Sequence, residues 1–391
     1  MRRINLLVTS LIGLLGLIIY FVSVPRVGDD ALVEMTVEAE DEHILENIYF
    51  SGYNSRYTQF YMDNDKKVTL DNLSYLEQLD APNDIQVYRM QQKYPDFIDP
   101  LIYDRYIRSY SIVNADDNMV SAHIRFNEDY STDNDTIHLN VLNKETMEIE
   151  EEEVERENPP TGNYTDIIGM HVDYPVVQMI YRTNRWNEQT VTEKSTVSIG
   201  TYNIETKNYS ENPPSDIDGY MNAYDNDSRI MQNKKKQLLT VYGDEGRSHT
   251  HYVYDYMNDE LTALEDNEKH YIIGDDDQLY SIELSNNETL LNTLDENGQE
   301  TESEVTLENQ LPIDLSRQDG ALLTEIIDGK LYVVLNENIP VETGPGEPLM
   351  LQVFDIQNGE RVLNSEIIFE TESGSNVGQG SITAIGQVTA F

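Results

Sequence analysis

The chain is 391 residues long, with 72 acidic against 26 basic side chains and a formal net charge of −46. So negative a surface repels nucleic acid and anionic lipid headgroups, which makes both poor partner candidates. Cysteine is absent; this excludes a disulfide scaffold, a lipid-modified lipoprotein and thiol chemistry, and a chain of this size can bury a core without such staples.

Met1-Arg2-Arg3 leads into an apolar run from Ile4 to Val24, closed by Pro25. As a helix, this run would span about 31 Å, close to the hydrocarbon thickness of a bilayer. A cleavable signal peptide would have a shorter apolar stretch and a small-x-small site. Here Ser23-Val24-Pro25-Arg26 follows, with no Ala-x-Ala. Arginines immediately before a spanning helix keep that end cytoplasmic. The expectation is a single-pass bacterial membrane protein. Residues 1–26 would be a cytoplasmic stub and uncleaved signal anchor, 27–42 a juxtamembrane stalk or exposed first strand, and 43–391 a domain outside the cytosol. Residues 1–26 contain three arginines and no acid, so beyond them 23 basic side chains face 72 acidic ones, a formal −49. These acids are spread along the body, as in a surface adapted to salt or alkaline medium.

One helix is expected over Asp84–Tyr94, between Pro82 and Pro95. Most of the rest reads as short strands of period two separated by polar turns. Tyr106–Val113, Met119–Phe126, Thr136–Leu142 and Thr146–Val154 make a four-stranded meander. The unit recurs over 165–212, 219–266, 268–310 and 319–372, and an irregular unit spans 43–103. Second strands begin near Met119, Val176, Gln237, Leu279 and Leu331, at spacings of 57, 61, 42 and 52 residues. Four antiparallel strands repeating every 40–60 residues or so are the signature of a β-propeller. Six blades are expected, or seven if the first region holds two. The alternating tail 381–391 would supply a strand that closes the ring on the first blade. A two-sheet sandwich is the structural alternative.

Asp328-Gly329-Lys330-Leu331-Tyr332 followed by Val353-Phe354-Asp355-Ile356-Gln357-Asn358-Gly359-Glu360 resembles a blade of the quinoprotein-like bacterial propellers. Gly274-Asp275-Asp276-Asp277-Gln278-Leu279-Tyr280 resembles its first part, and Tyr254-Asp255-Tyr256-Met257-Asn258-Asp259-Glu260 its second. The resemblance implies a fold, not a cofactor. The tryptophan docking motif of those blades is missing, since Trp186 is the only tryptophan.

No Gly-x-Ser-x-Gly is present, and Gly378-Gln379-Gly380-Ser381 reads as a flexible connector. His249 and His251 are two apart, on one face of a strand, as a His-x-His pair for zinc or copper would be, with His270 or an acid as third ligand. Asp275, Asp276 and Asp277, and Asp225 with Asp227, fall at turns where hard oxygen ligands would suit calcium. Asp-rich turns are also ordinary turn chemistry. Calcium is the only cofactor these patterns suggest. Tyr49, Tyr53, Tyr57 and Tyr61 crowd the first unit, as sheet packing or as a ligand surface.

The function expected is binding: a scaffold, sensor or accessory subunit beside a protein of the membrane or envelope. The alternative is an extracellular, carboxylate-dependent hydrolase of polysaccharide or peptidoglycan. Cations screen the self-repulsion of a −49 body, so the unfolding temperature should rise from very low to molar salt. Identical melting curves at both would contradict this.

Overall fold

The computed structural model describes residues 31–36, 42–53, 59–63, 67–69, 85–104, 107–125, 136–156, 164–187, 192–212, 215–217, 220–223, 230–242, 249–264, 269–285, 288–308, 322–335, 349–371 and 381–387. Their strands form six antiparallel sheets, the blades of a propeller. Five are the predicted units. Blade 2 is Ile107–Asn114, Asn118–Arg125, Thr136–Asn143 and Ile149–Glu155; blade 3 is Tyr164–Asp173, Val176–Asn187, Thr192–Asn203 and Asn208–Glu211. Blade 4 is Tyr220–Ala223, Lys236–Tyr242, His249–Asp255 and Glu260–Leu264; blade 5 is His270–Ile273, Leu279–Ser285, Glu288–Leu294 and Glu300–Thr306. Blade 6 is Leu322–Ile327, Lys330–Leu335, Leu349–Asp355 and Arg361–Thr371.

Blade 1 is built from both ends of the chain. Ile48–Tyr53, Gln59–Met62 and Lys67–Thr69 take their innermost strand from Ser381–Gln387, which pairs antiparallel with Ile48–Tyr53. Ala31–Thr36, within the stretch expected as a stalk or an exposed first strand, pairs antiparallel with Arg361–Thr371 as a fifth strand of blade 6. The ring therefore draws on residues before 43. Among the described residues no helix is long and apolar enough to cross a membrane. The predicted span Ile4–Val24 lies outside them.

The blades pack because each sheet is apolar on both sides. Asn118–Arg125 is buried at every position but the last, and alternate residues serve opposite neighbours. Val120, Leu139 and Val141 of blade 2 meet Met170, Val177 and Met179 of blade 3. Ile180 and Val197 continue to Leu239 and Tyr254 of blade 4, and Leu238 and Val253 to Tyr271 and Ile273 of blade 5. Ile282 and Leu291 meet Val333 and Phe354 of blade 6; Tyr332 and Leu351 meet Phe50 and Ile385 of blade 1.

The seam between blades 1 and 2 is different. Two helices fill it, α1 (Ile85–Lys93) and α2 (Pro95–Tyr103), where one was expected. Val87, Met90, Phe97 and Leu101 pack on Ile112 and Met119 of blade 2. The other face of α1 is polar: Gln86 donates to Ser51 Oγ (3.3 Å), and Arg89 stacks 3.6 Å over the Tyr61 ring.

One turn recurs between third and fourth strands of blades 2 to 6. It opens on Asn143, Asn203, Asp255, Asp295 or Asp355, whose side-chain oxygen accepts backbone N–H groups just ahead. It ends on a left-handed residue: Met147, Lys207, Asp259, Gly298 or Gly359. This is the physical content of the Asp-x-x-x-Gly-Glu resemblance.

Gly359 sits at φ +74°, and a Cβ there would lie 2.1 Å from the Thr306 carbonyl of blade 5. Gly329, at φ +71°, has open space. Gly329→Ala should cost about 1 kcal/mol of backbone strain. Gly359→Ala should cost about 3 kcal/mol, because it also pushes blade 5 away. Denaturant titrations giving equal losses would refute the contact.

Candidate functional site

In each meander the first strand runs toward the face that carries the first-to-second and third-to-fourth strand turns, here called the turn face. In blade 4 the first connection is long, and its described part, Ile230–Lys235, leaves the blade altogether. Ile230–Met231 pairs in parallel with Ile112 and Val113, at the turn-face end of blade 2's inner strand. Asn233 accepts from the Val172 N–H (2.9 Å) and donates to its carbonyl (2.9 Å), at the same end of blade 3. Lys234 Nζ donates to Ile273 O of blade 5 (2.6 Å) and to Glu325 Oε1 of blade 6 (2.7 Å). The Lys235 N–H donates to Asp277 Oδ1 (2.6 Å), and the Lys235 carbonyl accepts from the Tyr256 N–H (2.9 Å). A segment that touches blades 2 and 3 on one side and 5 and 6 on the other crosses the ring axis. This strap covers the turn-face mouth.

Beneath it, His171 is buried and stacks on Tyr256 at 5.3 Å. Burial pushes its pKa down. Gly169, two residues back, leaves room for the Tyr256 hydroxyl, which a Cβ would meet at 2.7 Å. Beside the strap's exit, a cleft of about 260 Å³ lies between blades 4 and 5, lined by Lys236, Asp255, Glu260, Asp295 and Glu296 among others. Asp255 and Asp295 already accept turn N–H groups there.

The candidate calcium ligands point apart. Asp275 Oδ2 accepts the Asp328 N–H (2.8 Å). Asp276 accepts from the Gln278 N–H (3.0 Å) and the Tyr280 hydroxyl (3.2 Å). Asp277 holds Lys235. Asp225 and Asp227 lie outside the described residues. Among the described residues, no three His, Asp or Glu side chains gather as a metal shell.

His251 is fully buried, with Nδ1 3.1 Å from Thr240 Oγ1 and its ring edge-on to Tyr271. The side chain of His249 lies outside the described residues. His270, considered as a third ligand, shares a hydrogen bond of 2.6 Å with Thr324 Oγ1 of blade 6. Burial, then the neighbouring His251, lowers its pKa to about 3. The two imidazoles are thus buried at the seams of blades 4, 5 and 6, His251 against Tyr271 and His270 against Thr324. On blade 2, His123 stacks on His138 at 5.1 Å, and burial lowers its pKa to about 3 as well.

Sequence reasoning missed the strap. Its signals were the widest second-strand spacing, 61 residues, and Lys234-Lys235-Lys236, the only run of three cations in the chain.

No protein-family model and no curated protein matches the sequence. Among solved structures, the chain is similar to the β-propeller domain of the Trilobed protease from Pyrococcus furiosus, at 11% identity and a TM-score of 0.26, covering 71% of this chain and 97% of that one. It is also similar to Pyrococcus horikoshii acylaminoacyl peptidase (12%, TM-score 0.31, 73% of this chain and 52% of that one). Porphyromonas gingivalis dipeptidyl peptidase 4 follows (10%, TM-score 0.35, 86% and 54%). The chain spans about half the length of these two peptidases. The likeness extends to the propeller fold alone.

His270 is neutral in the fold, and its pKa falls from 6.5 to about 3. Its contribution to stability is therefore complete above pH 6.5 and is lost as pH drops toward 3. Over that window each proton taken up on unfolding costs about 1.4 kcal/mol per pH unit. His270→Gln should flatten the pH dependence of unfolding by about one proton. An unchanged slope would show that His270 is not buried neutral.

Proposed function

We propose that this protein is a binding module, held outside the cytosol by the apolar segment Ile4–Val24, that works beside a protein partner of the membrane or envelope. The observation that carries the reading is the strap. It crosses the axis at the turn-face mouth, which favours docking a partner there over admitting a substrate to the axis.

Two further features support it. Ala31 pairs with Thr371, at the end of blade 6 opposite the turn face. The seven-residue step from Val24 to Ala31 reaches about 25 Å at most. So short a tether favours the blade-6 edge or the opposite face toward lipid, with the turn face turned away. On that turn face, Met147, Tyr174 and Met257 are 52%, 48% and 48% exposed, on blades 2, 3 and 4 in succession. The equivalent turn positions carry Glu205 and Lys207 in blade 3, and Gln357 and Gly359 in blade 6. Met147 also holds a left-handed φ of 60°, where a glycine would be easier.

The test is co-purification from detergent-solubilised membranes. A specific protein should be retained by the wild type and lost by the triple variant Met147→Glu, Tyr174→Glu, Met257→Glu at unchanged melting temperature. Recovery of the wild type alone, with turnover of cell-wall glycan, would replace this reading with the hydrolase.

A further inference from the structure

We infer that the axial mouth contains a receptor site for a primary ammonium group, and that Lys234 occupies it as an internal ligand. The inference stands on the strap geometry and needs neither the membrane nor the partner reading.

Two acceptors on different blades converge on one point. The Ile273 carbonyl ends the inner strand of blade 5, and the Glu325 carboxylate projects from the inner strand of blade 6. Their distances to Lys234 Nζ, 2.6 and 2.7 Å, are those of charged N–H···O bonds. Glu325 is 8% exposed. A carboxylate so far from water is costly unless a cation meets it with good geometry. The cation comes from a connection of blade 4, 91 residues away. The carbonyl requires a donor with an N–H, which a quaternary ammonium lacks.

The site does not depend on Lys234 for its shape. Both acceptors belong to inner strands fixed by their own pairing, Ile273 with Leu279 and Glu325 with Tyr332. The strap has its own ties on either side, Asn233 on the Val172 backbone and the Lys235 N–H on Asp277. Removing the ammonium thus leaves a lined vacancy under a strap that stays nearby. A primary ammonium from elsewhere meets the same two acceptors. Its sources are a lysine side chain or the amino terminus of another polypeptide, and entry of either displaces Lys234 and loosens the mouth.

The test is chemical rescue of the full-length chain in detergent micelles. Lys234→Ala should lower the melting temperature. n-Butylammonium, which copies a lysine side chain, should restore at least half of the loss. Tetramethylammonium at equal ionic strength should not. Glycylglycinamide, which copies an amino terminus, shows by its own recovery whether that source also fits. Lys234→Ala with Glu325→Gln should respond to none of them. Equal responses to n-butylammonium and tetramethylammonium, or rescue that persists without the Glu325 charge, would overturn the site. If Lys234→Ala does not fold, amide exchange in the wild type decides. n-Butylammonium should accelerate exchange across 230–236 relative to tetramethylammonium, and indifference to both would overturn the proposal.

Discussion

A four-stranded sheet with apolar side chains on both faces has nowhere to stop. Each blade here needs a neighbour on either side, so the assembly satisfies itself only as a closed ring. The closing step has the largest loop entropy against it, and the chain meets it with two strands rather than one. Ser381–Gln387 becomes the innermost strand of blade 1, and Ala31–Thr36 the outermost strand of blade 6. The last blade thus holds a strand from early in the chain and the first blade a strand from late in it. The seam between them is apolar, and the Tyr332 hydroxyl bonds across it to Ile44 O, 288 residues earlier.

Charge in this fold is handled by location. Outer strands carry acids at solvent-facing positions, as in Ile149–Glu155 and Glu300–Thr306, where they discourage edge-to-edge pairing with another chain. Ionic groups that are buried are paired. Arg156 and Glu211 are almost wholly inaccessible, 2.5 Å apart, with the guanidinium over Tyr181 and the Tyr209 hydroxyl on the carboxylate. Such a pair adds little net stability over an apolar equivalent, but removing one partner is costly. It therefore acts mainly to fix how blade 3 meets the end of blade 2.

Legibility in the sequence followed the range of the interactions. Blades 2 to 6 are readable because strand alternation and the Asn- or Asp-led turn are encoded within a few residues of one another. Blade 1 is harder, since two of its strands, Gln59–Met62 and Lys67–Thr69, are very short and its inner strand lies at the far end of the chain. Helix α2 was hidden by Pro95 and Pro100. The first is a helix-starting residue, and the second falls within a short helix held down by Phe97, Ile98 and Leu101. The strap illustrates the limit. Three consecutive lysines mark it locally, but the acceptors of Lys234 lie 39 and 91 residues away, and no spacing rule brings them together. The spacing of His249 and His251 was visible as chemistry, but the burial of His251 was not: it serves a seam rather than a surface.

The strap and the unusual seam are two parts of one mechanical arrangement. Five seams are direct apolar contacts, whereas blade 1 meets blade 2 through α1, with hydrogen bonds from Gln86 and a cation–π stack from Arg89. These contacts are buried, and they differ in kind from the apolar packing of the other seams. The strap's described contacts run from blade 2 to blade 6, the two blades that flank blade 1. It is a chord across the ring. Widening the gap around blade 1 would require blades 2 and 6 to move apart, and the chord opposes that movement with the Ile230–Met231 pairing at one end and the Lys234–Glu325 ion pair at the other. Lys234, because it belongs to the strap, thereby ties blade 6 to the segment that pairs with blade 2.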